Sequence, residues 1–156
     1  MKTVLEKLEA VTKEKDADFQ TAAKKVVKLL HSEVPHYNWV GIYMTQGSDL
    51  VLKAWDGPGA TEHTRIKIGE GICGLAAQRK RTIIVDDVSQ EPDYIECFSN
   101  TKSEIVVPIF KDKDKKEKVI GEIDIDSDMA AAFDKRDQVL LEKVAELLSD
   151  KYKEKE

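Results

Sequence analysis

No run of apolar residues in this chain approaches the roughly 20 that a membrane-crossing helix needs, so no membrane attachment is expected. Residues 1–7 are charged every few positions and lack the apolar core of a secretory leader, which points to a cytoplasmic protein. Basic charge is not in excess either. The chain has 25 Lys and Arg against 30 Asp and Glu, a net charge of −5, and its positive residues are scattered among acids. That distribution argues against nucleic-acid binding through phosphates. Cysteine is scarce, with two in 156 residues. In a cytoplasmic chain, Cys73 and Cys97 read as thiols or a redox pair rather than as a structural staple.

What remains is an ordinary globular composition, 41% hydrophobic and 35% charged, in a chain long enough for one domain with its own core. Residues 1–34 read as helix. Val4, Leu8 and Val11 recur at helical spacing, as do Ala22, Ala23, Val26, Val27, Leu29 and Leu30, with Asp16 or Asp18 as a cap and Pro35 as a stop. Residues 37–45 alternate, with Trp39, Gly41 and Tyr43 on one face and Val40, Ile42 and Met44 on the other. A turn at 46–49 leads to a strand over 50–55, and a short strand follows at 65–68. A glycine-rich turn opens a helix over 72–79, and 82–85 is strand again. Residues 86–103 have no period and read as a functional loop with a helical turn. Residues 104–110 and 118–126 form a hairpin across the Lys/Asp run at 111–117, and a helix covers about 134–152. The order predicts an α+β fold: about six mostly antiparallel strands over 37–126, flanked by N- and C-terminal helices.

The strand Ile120-Gly121-Glu122-Ile123-Asp124-Ile125-Asp126 carries the sharpest chemical signal. Strict alternation puts Ile120, Glu122, Asp124 and Asp126 on one face, with Ile123 and Ile125 opposite. A row of acids on a dry face is costly. On pattern alone the face is solvated; otherwise it lines a pocket for something cationic. Cys97 sits in a polar loop with no core role, seven residues before Glu104. Cys73 lies at a helix start, where N–H groups and the helix dipole favour a thiolate, although a small buried core residue fits there too. Gly69-Glu70-Gly71-Ile72-Cys73-Gly74 spells G-x-G-x-x-G, but the next acid, Asp86, comes too early and the neighbouring strands read as hairpins. A tight turn beside a pocket fits better than a dinucleotide site. His63, Cys73 and Cys97 match no zinc spacing, so neither a metal nor another cofactor is expected.

Several segments occur in order across about 90 residues: Asn38-Trp39-Val40-Gly41-Ile42-Tyr43, Arg65 to Gly74, Asp86-Asp87-Val88, Tyr94 to Cys97, Ser103 to Pro108, and Gly121 to Ser127. Together they resemble a single GAF domain spanning 1–156, and within that superfamily the free methionine-(R)-sulfoxide reductases. The resemblance implies reduction of free methionine sulfoxide by Cys97, through a sulfenic acid, with the disulfide regenerated by thioredoxin. It makes Trp39 and Tyr43 the wall for the methyl-sulfoxide end, and it reverses the solvated reading of Glu104, Asp124 and Asp126, which become ligands on a covered sheet face. One of these acids would keep a raised pKa and give a proton to the leaving oxygen. These enzymes commonly carry a third cysteine just before the Arg65-Ile66 strand. Here His63 or a neighbour holds that place, after a loop two residues longer, so Cys73 or an outside thiol must resolve Cys97. A homodimer through the end helices is expected. The competing expectation is a non-catalytic GAF sensor binding a small ligand on the same face.

Overall fold

The computed structural model describes residues 1–92, 94–95 and 100–153. The chain starts with a reciprocal cap, in which the Thr3 hydroxyl accepts from the Glu6 N–H and the Glu6 carboxylate accepts from the Thr3 N–H, both at 3.1 Å. This opens α1 (Val4–Thr12); α2 (Phe19–Glu33) follows after a break at 13–18. Asp18, rather than Asp16, caps α2 by accepting from the Thr21 N–H at 2.8 Å. The remaining elements are β1 (Trp39–Gln46), β2 (Asp49–Asp56), β3 (Arg65–Lys67), α3 (Gly71–Arg79), β4 (Ile83–Val85), a 3-10 turn at Val88–Gln90, β5 (Ser103–Phe110), β6 (Val119–Ser127) and α4 (Lys135–Lys153). The six strands form one sheet in the order β3-β2-β1-β6-β5-β4, antiparallel at every ladder among the described residues. The fold is α+β, as expected.

The sheet has two dry faces. On one, α1, α2 and α4 bury Leu8, Val26, Leu30, Leu141 and Val144 against Val40, Ile42, Ile105, Ile123 and Ile125. On the other, α3 joins strands at opposite edges of the sheet, and its Ile72, Cys73 and Ala76 pack with Trp39, Tyr43 and Val106. The alternation read in β1 therefore separates the two layers as expected. In β6 it fails at one place. Phe110 pairs with Val119 and Ile109 with Gly121, so Ile120 is an extra residue, a bulge. Ile120 joins Ile123 and Ile125 in the core beneath the helices, while Val119 packs on the α3 side. Counting in twos cannot cross a bulge, and for that reason the placement of Ile120 beside Glu122 is wrong.

Ahead of β1 and α4, one carboxylate gathers three groups. Asp137 accepts from the Tyr37 hydroxyl at 2.7 Å and from the Asp134 N–H at 2.9 Å, and His36 Nε2 lies 3.0 Å away. Burial, and secondarily the adjacent Asp137, hold the Tyr37 phenol well above its ordinary pKa. Asp137→Ala orphans a phenol that is 1% exposed, so urea unfolding should show a loss of roughly 2–3 kcal/mol. Asp137→Asn, which keeps an acceptor, should lose clearly less.

Candidate active site

The register of the central strands builds the site. Across β6, Asp126 faces Trp39 on β1 and Glu104 on β5; Asp124 faces Gly41 and Val106; Glu122 faces Tyr43 and Pro108. All four acids are buried beneath α3, and Glu122 has no exposure. The solvated reading of this face is therefore excluded. Gly41 opens space opposite Asp124, and the Trp39 ring takes it: a Cβ on Gly41 would lie 2.5 Å from Trp39 Cζ3. On Gly57 a Cβ would meet Trp39 Cδ1 at 2.6 Å, so two glycines bracket the indole. Trp55 stacks beyond it with ring centroids 6.5 Å apart and a 12° interplanar angle. The Tyr43 hydroxyl donates to the His63 carbonyl at 2.8 Å. His63 thus meets the site through its backbone carbonyl.

The G-x-G-x-x-G turn positions Cys73. Gly69 and Gly71 have φ of +101° and +66°, which only glycine adopts freely. At Gly74, a Cβ would come within 2.8 Å of the Gly69 nitrogen. These glycines let α3 start tight against β3, with no parallel β-α-β unit among the described residues, so the dinucleotide reading has no structural support. Ile95 packs on Gly71 from the other side: a Cβ there would sit 2.6 Å from Ile95 Cδ1.

The liganding atoms of Cys73, Glu104 and Asp124 all lie within 4.8 Å of one another. Burial first, then the charges of Asp124, Glu122 and Glu104, push the Cys73 thiol well above its ordinary pKa. Of the two expectations for Cys73, a thiolate at the helix start or a small buried residue, burial and the nearby carboxylates favour the second. A helix end supplies about half a positive charge, which desolvation and the neighbouring carboxylates outweigh. Burial also raises Glu122, Asp124 and Asp126. Asp124 adds to the first and last of these, while the Cys73 thiol partly offsets Glu122 and Glu104 partly offsets Asp126. Both oxygens of Glu122 and one each of Asp124 and Asp126 are buried without a hydrogen-bond partner. No cation is among the described groups that shift them. Glu122 belongs to this set, yet it received no role from sequence, although the same alternation that singles out Asp124 and Asp126 carries it.

The structure brings Trp39, Tyr43, Cys73, Glu104, Asp124 and Asp126 to one face. Cys97 lies outside the described residues. A cavity of about 30 Å³ opens beside Trp39 and Asp126, lined also by Pro58 and Thr101. Two larger cavities, of about 340 and 650 Å³, lie elsewhere and share none of these residues.

Against this geometry, the GAF domain model matches residues 18–150. The chain belongs to the GAF domain family. Within it, the chain groups with free methionine-R-sulfoxide reductases. It is 44% identical over 115 residues to the free methionine-R-sulfoxide reductase of Saccharomyces cerevisiae, covering 72% of this chain and 61% of that one. It is 32% identical over 133 residues to the protein of the same name from Escherichia coli, covering 85% of this chain and 77% of that one. The structure of free methionine-R-sulfoxide reductase from Neisseria meningitidis in complex with its substrate superposes with a TM-score of 0.87 at 35% identity, covering 96% of this chain and 86% of that one. No helix among the described residues of this GAF domain is long and apolar enough to cross a membrane.

The orphaned acids make a directional prediction about stability. Folding raises the pKa of Glu122 above its ordinary 4.5, so the folded state holds that proton more tightly than the unfolded chain. Its stabilising contribution is complete below 4.5 and is lost as pH rises through the folded value. Glu122→Gln should therefore raise the melting temperature of the ligand-free protein at pH 8, by an amount corresponding to roughly 1–3 kcal/mol, with the gain vanishing near pH 4.5. A variant that melts lower than the parent at pH 8 would contradict the cluster's electrostatics.

Proposed function

We propose that this GAF domain reduces free L-methionine-(R)-sulfoxide to methionine. The observation that carries the reading is the set of buried carboxylates with orphaned oxygens between Trp39 and Cys73, in a chain whose relatives include two proteins named free methionine-R-sulfoxide reductase. Free methionine sulfoxide brings an ammonium, which supplies the cation these acids lack, and an apolar methyl end that fits the Trp39–Tyr43 wall. A peptide-bound methionine has no such ammonium, and the acids would then stay buried without compensation.

Cys97 attacks the sulfoxide sulfur as a thiolate, and a proton from one of the acids with a raised pKa, Asp126 or Asp124, neutralises the oxygen. The oxygen passes to Cys97 as a sulfenic acid, and methionine leaves with its sulfur reduced by two electrons. The Cys73 thiol then attacks the sulfenic sulfur, water leaves, and a Cys73–Cys97 disulfide forms. A dithiol such as thioredoxin returns both to thiols, so each cycle consumes one dithiol and releases one water. Two features favour this order. Burial and the neighbouring carboxylates favour the thiol form of Cys73 over the thiolate, as suits a resolving thiol that acts second. Ile95, two residues before Cys97 in the chain, packs on Gly71, two residues before Cys73. We also assign the protein to the cytoplasm and to a homodimer formed through its end helices.

Reduced protein mixed with the R epimer should form one methionine and lose two thiols, while the S epimer should form none. Cys97→Ser should abolish turnover. Cys73→Ser should still form one methionine, with one thiol lost. Asp126→Asn should lower kcat/KM at least tenfold without unfolding the protein. If the parent forms no methionine, the chain is a ligand-binding GAF sensor, the reading that the missing third cysteine at His63 favours.

A further inference from the structure

We propose that Cys73, Glu104 and Asp124 form a site for a thiophilic divalent cation, zinc above all, in the ligand-free reduced protein. The three residues come from three elements, α3, β5 and β6, and the fold holds their liganding atoms within 4.8 Å of one another. One sulfur and two carboxylate oxygens make a donor set that zinc accepts, whereas calcium and magnesium prefer oxygen alone. Three protein ligands leave a fourth tetrahedral position for water.

A second observation points to a cation independently of that cluster. Glu122 is fully buried, neither of its oxygens has a partner, and it lies close enough to Cys73 and Asp124 to act on both. It places a fourth, unpartnered carboxyl group beside the three ligands, without being one of them. Binding takes one proton off the Cys73 sulfur and forms a metal–sulfur bond, with no change in oxidation state; any proton on the carboxylates leaves as well. His63, the nearest imidazole candidate in the sequence, is outside this set, so the site differs from any His63–Cys73–Cys97 arrangement. An ion here would hold Cys73 and occupy carboxylates assigned above to the substrate ammonium. That inhibitory consequence rests on the proposed function; the binding itself does not.

The test therefore uses Cys97→Ser protein, which cannot turn over and carries Cys73 as its sole thiol. Cobalt(II) added to it anaerobically should produce the near-ultraviolet thiolate-to-cobalt charge-transfer band, and equimolar zinc should abolish it. Zinc should likewise protect Cys73 from a thiol reagent in urea-free buffer. The band should be absent from the Cys97→Ser/Cys73→Ser protein and weakened at least tenfold in cobalt affinity by Asp124→Asn. The melting temperature of the Asp124→Asn protein should match that of the Cys97→Ser parent, and with that match its loss of binding reports the missing ligand rather than unfolding. A missing band in the Cys97→Ser protein, or a band that survives Cys73→Ser, overturns the assignment.

Discussion

The burial of four carboxylates and a thiol between one face of a β-sheet and a single short helix is the constraint to which the rest of the structure answers. Glu104, Glu122, Asp124 and Asp126 all turn toward α3 because β5 and β6 are in register and fully alternating over this stretch. On the opposite face of the same strands, Ile105, Ile123 and Ile125 sit in a core closed by three helices. That second core is what can sustain the strain: a domain with one large apolar layer has stability to spare for a polar layer that is unfavourable on its own. The bulge at Ile120 belongs to this division. It delivers an isoleucine to the core just before the acids begin and leaves Gly121 packed flat on Tyr43 and Met44.

The same constraint explains the glycines and aromatics. Each acid on β6 has a cross-strand neighbour on β1 that is either aromatic or absent as a side chain: Trp39, Gly41, Tyr43. Gly41 and Gly57 make room for an indole laid along the strand, so the acids are walled by carbon rather than by water. A carbon wall raises the carboxyl pKa values and makes an incoming cation more valuable, since opposite charges attract more strongly where water is excluded. The pocket is therefore a cation site by subtraction. Among the described residues, no cation is placed against the acids, and four of their oxygens have no hydrogen-bond partner.

Much of this was readable from sequence because period-two alternation is a direct record of which face each strand residue takes. Trp39 and Tyr43 against Val40 and Ile42, or Asp124 and Asp126 against Ile123 and Ile125, follow from pleating alone. What alternation could not give was whether the acidic face was wet, since an exposed sheet carries the same pattern. That depended on α3 lying across it, a long-range fact that the G-x-G-x-x-G turn only hints at. Ile120 escaped because a bulge changes the count without a local marker, and Glu122 because nothing local distinguishes a third acid that matters from one that does not. The choice between a thiolate and a small buried residue at Cys73 stayed open for a related reason. Position in a helix is local, whereas the three carboxylates that oppose a thiolate there come from strands 31 to 51 residues further along the chain.

The direction of these shifts also bears on how such a site would work. With no cation bound, burial and the neighbouring carboxylates favour the thiol form of Cys73, and burial favours the protonated forms of Glu122, Asp124 and Asp126. A bound cation changes every one of those balances at once. It compensates the carboxylates, removes the charge that opposes a Cys73 thiolate, and lowers the cost of ionising a group meant to act on a sulfenic acid. The reactivity of the second cysteine would thus be tied to the presence of a cationic guest rather than to the helix on which it sits. An ammonium attached to the right sulfur and a bare metal ion would make use of the same deficit, one to promote the thiol's chemistry and the other to lock it away.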